Sequence, residues 1–273
     1  MKNFKVSCVQ IASGPNIEAN LLETSKYIEK AKDAGAKLVV LPENFAIMAA
    51  NDQMYLEFKE EFGRGKIQDF ISSEALKNDL WIIAGTIPIS SNKKNKVYSK
   101  SIIFNNKGEI ISSYNKIHLF DVNILETNEK YNESDVFISG NSIEIVETPF
   151  CKIGIAICYD LRFPELFRLL TEKGANLICV PAAFTSFTGK AHWEYLVRSR
   201  AIENLSYIAA SAQGGYHVNG RETHGNSLIV NPWGEILSIK KNGAGIVTSE
   251  IDLNYQSNLR KNFPCLDHRK KIK

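Results

Sequence analysis

The chain has 273 residues, 44% apolar and 23% charged, which suits a globular protein with a sizeable core. Its net charge of +3 arises from dispersed residues and offers no basic stripe for nucleic acid; the one basic run, His268-Arg269-Lys270-Lys271-Ile272-Lys273, reads as a solvated tail. No apolar run approaches the roughly 18 residues of a membrane span, and Met1-Lys2-Asn3-Phe4-Lys5 leads into a strand without a signal-peptide core. Cys8, Cys151, Cys158, Cys179 and Cys265 form no CxxC and no His/Cys cluster at ligand spacing, so the expectation is a reduced, cytoplasmic protein without a metal site.

Taken in chain order, residues 6–11 read as a short apolar strand. Residues 17–34 have helical spacing through Ile17, Leu21, Ile28 and Ala31, and stop at Gly35, a favoured C-terminal cap. Residues 38–41 form a buried strand ending in Pro42-Glu43. A helix over 66–76 leads to a strand over 81–86, then strands over 101–105 and 109–114 flank the turn Asn105-Asn106-Lys107-Gly108. Residues 115–150 are polar and weakly periodic, and read as one long loop.

The second half repeats the plan. A strand over 153–158 precedes the helix Pro164–Glu172, which Gly174 ends, and a strand over 177–181 follows. Then come a helix over 192–204, the strand Tyr207–Ala212, and a strand pair over 227–231 and 235–239 around Asn231-Pro232-Trp233-Gly234. Gly234-Glu235-Ile236 echoes Gly108-Glu109-Ile110. Two β-α-β-α-β-β-β halves predict an α/β fold with an internal pseudo-twofold. Each half would supply one sheet with helices outside, and the sheets would face one another. No Pro- or Gly-rich linker divides the halves, so residues 1–273 read as a single domain.

Three chemically capable side chains leave strand ends: Glu43, Lys116 and Cys158. Ligands of open α/β sheets gather at the carboxyl ends of strands. Cys158 ends an apolar strand at an elbow, before Pro164 opens a helix, a setting that favours a nucleophilic thiolate. Glu43 can take its proton, then act as acid and base in two-step acyl transfer. Lys116 and a backbone N–H after Cys158 can stabilise an oxyanion. The histidines, His118, His192, His217, His224 and His268, show no sequence pairing with the cysteine.

The motifs Leu41-Pro42-Glu43, Tyr114-Asn115-Lys116-Ile117-His118-Leu119 and Cys158-Tyr159-Asp160-Leu161-Arg162-Phe163-Pro164-Glu165 make the chain resemble the carbon–nitrogen hydrolases of the nitrilase superfamily over nearly its whole length. The resemblance implies a four-layer α-β-β-α sandwich, a Glu43-Lys116-Cys158 triad, a thioester intermediate, no cofactor, and a homodimer or higher homo-oligomer. It assigns Glu133, in Tyr131-Asn132-Glu133-Ser134, to orient Lys116 and assist the acid/base glutamate. Ser139-Gly140 departs from the Pro-Gly common among relatives.

Residues 181–194, with Arg198-Ser199-Arg200-Ala201-Ile202-Glu203-Asn204 and Asn231-Pro232-Trp233-Gly234, resemble the branch of deaminated glutathione amidase and omega-amidase. That likeness implies a small anionic 2-oxo-acid amide as substrate. Deaminated glutathione, cleaved to 2-oxoglutarate and Cys-Gly as metabolite repair, is preferred over α-ketoglutaramate. Another amide and a catalytically silent ligand binder stay open, as does an amine in place of water in the second step. Arg162 is the candidate carboxylate clamp, with Tyr159, Phe184 and Thr185 lining the pocket. The loop over 214–225, with His217, Arg221 and His224, is expected to meet the Cys-Gly portion.

Overall fold

Two mixed sheets face each other with helices on both outer sides. The computed structural model describes residues 3–270, so Lys271, Ile272 and Lys273 of the basic tail lie outside the described residues. In the first sheet Phe4–Gln10, Leu38–Val40 and Trp81–Ile83 run parallel. Val97–Phe104, Ile87–Ser90 and Ile110–Asn115 extend it antiparallel. The second sheet repeats the parallel trio with Lys152–Ile155, Leu177–Ala182 and Tyr207–Ala212. Ile145–Glu147 flanks it on one side, and Ser227–Val230 and Ile236–Lys240 on the other.

Strand alternation builds two cores. Leu38 and Val40 point between the sheets, with Val6, Cys8, Ile153 and Ile155. Val39 points the other way, joining Ile28, Ala31 and Ile71 beneath the helices Ile17–Asp33 and Lys66–Asn78. Strands buried on both faces read as unbroken apolar runs, which is why Leu38-Val39-Val40 was recognisable. Pro164–Glu172 and Ser186–Asn204 cover the outer face of the second sheet. Asn16 caps the first helix by accepting from the Ala19 N–H at 2.9 Å. The result is the expected four-layer α-β-β-α sandwich.

Several expectations need correction. The halves do not each build one sheet: Gly245–Ile251 returns to the first sheet and pairs antiparallel with Phe4–Gln10, from Phe4↔Ile251 to Gln10↔Gly245. That pairing covers an edge which a strict repeat would leave open. Residues 115–150 are not one loop. They hold the hairpin Asp121–Ile124/Glu129–Asn132, a 3-10 turn over Glu133–Asp135 and the strand Ile145–Glu147. The strand over 81–86 stops at Ile83, and Ile87–Ser90 is separate. The helix expected over 192–204 starts at Ser186, because the Thr185 hydroxyl accepts from the Thr188 N–H. The helix Leu253–Asn262 and the hairpin Gly214–Tyr216/Glu222–His224 were not anticipated.

Candidate active site

The first sheet delivers Glu43 and Lys116 to the site where the second delivers Cys158. Glu43 lies three residues past Leu38–Val40, and Lys116 directly follows Ile110–Asn115. At Gly85, φ is +40°, and a Cβ there would lie 2.0 Å from the Pro42 carbonyl oxygen, so only glycine lets that turn press against the Glu43 loop. The Gln213 amide donates to the Glu43 carbonyl at 3.0 Å and fixes it from the second half.

Cys158 has φ +47°, a left-handed conformation unusual for a cysteine. It heads a 3-10 turn, Cys158–Arg162, while the helix Pro164–Glu172 starts six residues on. The expected helix N-terminus is therefore not adjacent to the thiol. The N–H set against the sulfur is instead that of Ala183.

Lys116 Nζ contacts Glu43 Oε1 at 2.7 Å and both Glu133 oxygens at 2.9 Å. Glu133 also accepts from the Phe120 N–H at 2.6 Å. Burial alone would lower the affinity of Lys116 for its proton. Glu133, Glu43 and the Cys158 sulfur outweigh that and hold it well above its usual value. Burial and the neighbouring Glu43 push the Cys158 thiol up, against the opposing Lys116 charge and an N–H from Ala183 at 3.5 Å. The environment thus favours the neutral thiol, with the Glu43 carboxyl beside it. Burial also raises the Glu133 carboxyl, opposed by Lys116.

One acidic side chain in the quoted motif has a role the sequence did not reveal. Asp160 is fully buried. It accepts from the Tyr114 hydroxyl at 2.8 Å, the Ile157 N–H at 2.9 Å, the His118 N–H at 3.0 Å and the His118 ring at 2.6 Å. It thereby ties the cysteine elbow to the segment carrying Lys116. His118 stacks on Phe163 with ring centroids 3.6 Å apart. A buried aspartate one residue past an aromatic, inside a polar turn, is the only sequence signal of this junction.

A cavity of about 450 Å³ lies beside Lys116 and Cys158. Glu43, Lys116, Glu133 and Cys158 all border it, as do Tyr159, Arg162, Phe184 and Thr185. The sequence missed Tyr55, Phe120, Tyr131 and Asn219, which also border it. Of the histidines expected near the substrate, His217 is buried elsewhere: its Nδ1 donates to the Ser13 carbonyl and its Nε2 meets the Thr223 hydroxyl, both at 2.8 Å. His224 packs over Gly189 and is not among the lining residues. Arg221 alone of that trio reaches the cavity. Among the described residues, no group of three or more His, Cys, Asp and Glu side chains is arranged to hold a metal ion.

Residues 5–261 match the family model described as carbon–nitrogen hydrolase. A protein of Yersinia enterocolitica named deaminated glutathione amidase is 38% identical over 271 residues, covering 99% of this chain and 94% of that one. The crystal structure of the C. elegans NitFhit protein superposes with a TM-score of 0.91 at 32% identity, covering 98% of this chain and 65% of that longer one. Saccharomyces cerevisiae Nit3, a member of branch 10 of the nitrilase superfamily, gives a TM-score of 0.87 at 32% identity over 96% of this chain and 95% of its own. With the family match running through nearly all of its residues, the chain belongs to the carbon–nitrogen hydrolases and is a hydrolase acting on amides.

Proposed function

We propose that the chain is a cysteine-dependent amidase that cleaves deaminated glutathione to 2-oxoglutarate and Cys-Gly. The observation that carries the chemistry is the double engagement of Lys116 by Glu43 and Glu133, beside Cys158 in one cavity. The substrate assignment rests on the name of the Yersinia relative and on the cavity's arginines.

In the first step Glu43 takes the thiol proton, and the Cys158 sulfur attacks the amide carbon. The oxyanion is met by the Lys116 ammonium and the Tyr159 N–H. Glu43 returns the proton to the leaving nitrogen, the C–N bond breaks, and a thioester remains. Water then gives a proton to Glu43 and attacks the same carbon. The C–S bond breaks, and the proton returns to sulfur. Glu133 takes no proton in this scheme. It holds Lys116 charged and aimed.

The test is hydrolysis of deaminated glutathione and α-ketoglutaramate by the wild type and Cys158→Ala, read as 2-oxoglutarate release. Activity in the wild type, lost in the variant, is expected, with deaminated glutathione preferred. A folded wild-type protein that turns over neither substrate would overturn the assignment.

A further inference from the structure

Arg200 and Arg260, which pack within the fold away from the cavity, have two and three hydrogen-bond partners. Arg200 donates to the Leu161 carbonyl and to Glu203, both at 2.9 Å. Arg260 donates to the carbonyls of Leu205 and Ala175 and to the Ser206 hydroxyl, at 2.8–3.1 Å. Two arginines on the cavity differ. Arg162 has one hydrogen-bond partner among the described residues, His192 at 3.2 Å, and its guanidinium lies 5.3 Å from the Phe184 ring centre and 5.8 Å from that of Tyr159. Arg221 makes one side-chain hydrogen bond, to the Ala183 carbonyl, and its guanidinium lies 5.2 Å over Tyr131. Its Nε is buried with no partner at all.

A buried donor left unpaired carries a cost, and Arg221 borders the cavity. The ion pairs of arginine among the described residues involve Arg198, Arg200 and Arg269, so neither cavity arginine is neutralised by a carboxylate. Between them runs a row of three rings: Tyr131 to Phe120 at 5.1 Å, and Phe120 to Tyr159 at 5.1 Å. The two guanidinium groups neighbour opposite ends of this row, Arg221 at Tyr131 and Arg162 at Tyr159. The planar guanidinium fork suits carboxylates. Lys130 also borders the cavity, but it is exposed and solvated.

We propose that Arg221 is a specificity-determining residue: it binds a carboxylate on the leaving-amine side of the scissile bond, while Arg162 takes the one on the acyl side. This rests on the amidase reading above. It selects amides with an anionic group at both ends over amides that release ammonia. Arg221 also grips the carbonyl of Ala183, whose own N–H meets the Cys158 sulfur, so a seated leaving group is registered against the nucleophile.

The test compares wild type, Arg221→Gln, Arg221→Lys and Arg162→Gln on deaminated glutathione, with a carboxylate at each end, and α-ketoglutaramate, with one. Arg221→Gln should raise KM for deaminated glutathione about 10- to 100-fold, the range for a hydrogen bond to a charged group. The ratio of kcat/KM between the two substrates should fall at least tenfold, with partial recovery in Arg221→Lys. Arg162→Gln should weaken both substrates alike. Equal losses on both substrates for Arg221→Gln would mean a merely structural or acyl-side role, and would overturn the proposal. So would an unchanged KM for deaminated glutathione. A wild type inactive on both substrates refutes the amidase reading itself, an outcome separate from either of these.

Discussion

At the scale of single residues, the site is a balance of buried charges. Because burial raises the Glu133 carboxyl, the folded protein takes up a proton there at a pH where a free glutamate is still ionised. Protonation releases Lys116 from its bidentate partner. The acid limb of kcat/KM is therefore expected above the ordinary carboxylate range, and a pH–rate profile that stays flat down to the usual glutamate pKa would contradict it. The Lys116 pKa is held well above its normal value, so the proposed scheme predicts no fall in rate from loss of the ammonium in mildly alkaline buffer. Glu43→Gln removes the group beside the neutral thiol, and kcat should fall about 100-fold or more. Asp160→Asn keeps the shape of a buried side chain but cannot accept from all four donors it now satisfies. A loss of about 2–3 kcal/mol in urea unfolding is expected, with kcat falling as the cysteine elbow and the Lys116 segment separate. Glu43, Lys116 and Cys158 were legible because each comes within three residues of a strand's carboxyl end, although the strand before Cys158 stops at Ile155 rather than reaching the cysteine. Asp160 was not, because its four donors come from segments more than 40 residues apart in sequence as well as from its own turn.

At the scale of elements, legibility followed punctuation. The helix Pro164–Glu172 and the strand Tyr207–Ala212 were read with their observed bounds, since Pro164 and Gly174 fence the first and a buried run fills the second. The hairpin Asp121–Ile124/Glu129–Asn132 escaped because its strands carry mainly polar side chains and only Ile124 is buried. Such short pairs gain their order from tertiary contact rather than from propensity. Gly85 illustrates the same limit. Nothing in Ala84-Gly85-Thr86 announces that its Cα faces a carbonyl from another loop. Gly85→Ala should cost about 2–4 kcal/mol from left-handed strain and steric overlap, and should lower activity by displacing Pro42 and with it Glu43. Denaturant unfolding and kcat/KM measured on the same preparation check both effects; wild-type stability would contradict the close approach.

At the scale of the whole molecule, the repeat in the sequence was sufficient to deduce two facing sheets, but not the exchange that closes them. The last strand, Gly245–Ile251, reaches back to Phe4–Gln10 across more than 230 residues, and no local pattern encodes such a distance. Removing residues 244–273 should leave Phe4–Gln10 as an open edge and give aggregated protein on size exclusion; a monodisperse product would contradict this. The hairpin that carries Arg221 is a two-stranded sheet of its own, outside both large sheets. In the proposed scheme the leaving-amine contact lies on this hairpin, whereas the acyl-side contact, Arg162, shares the 3-10 turn of Cys158. A substitution at position 221 is therefore expected to alter the choice of leaving amine while releasing the Ala183 carbonyl beside the nucleophile, so that evolving a new leaving group is answerable to the geometry of the cysteine.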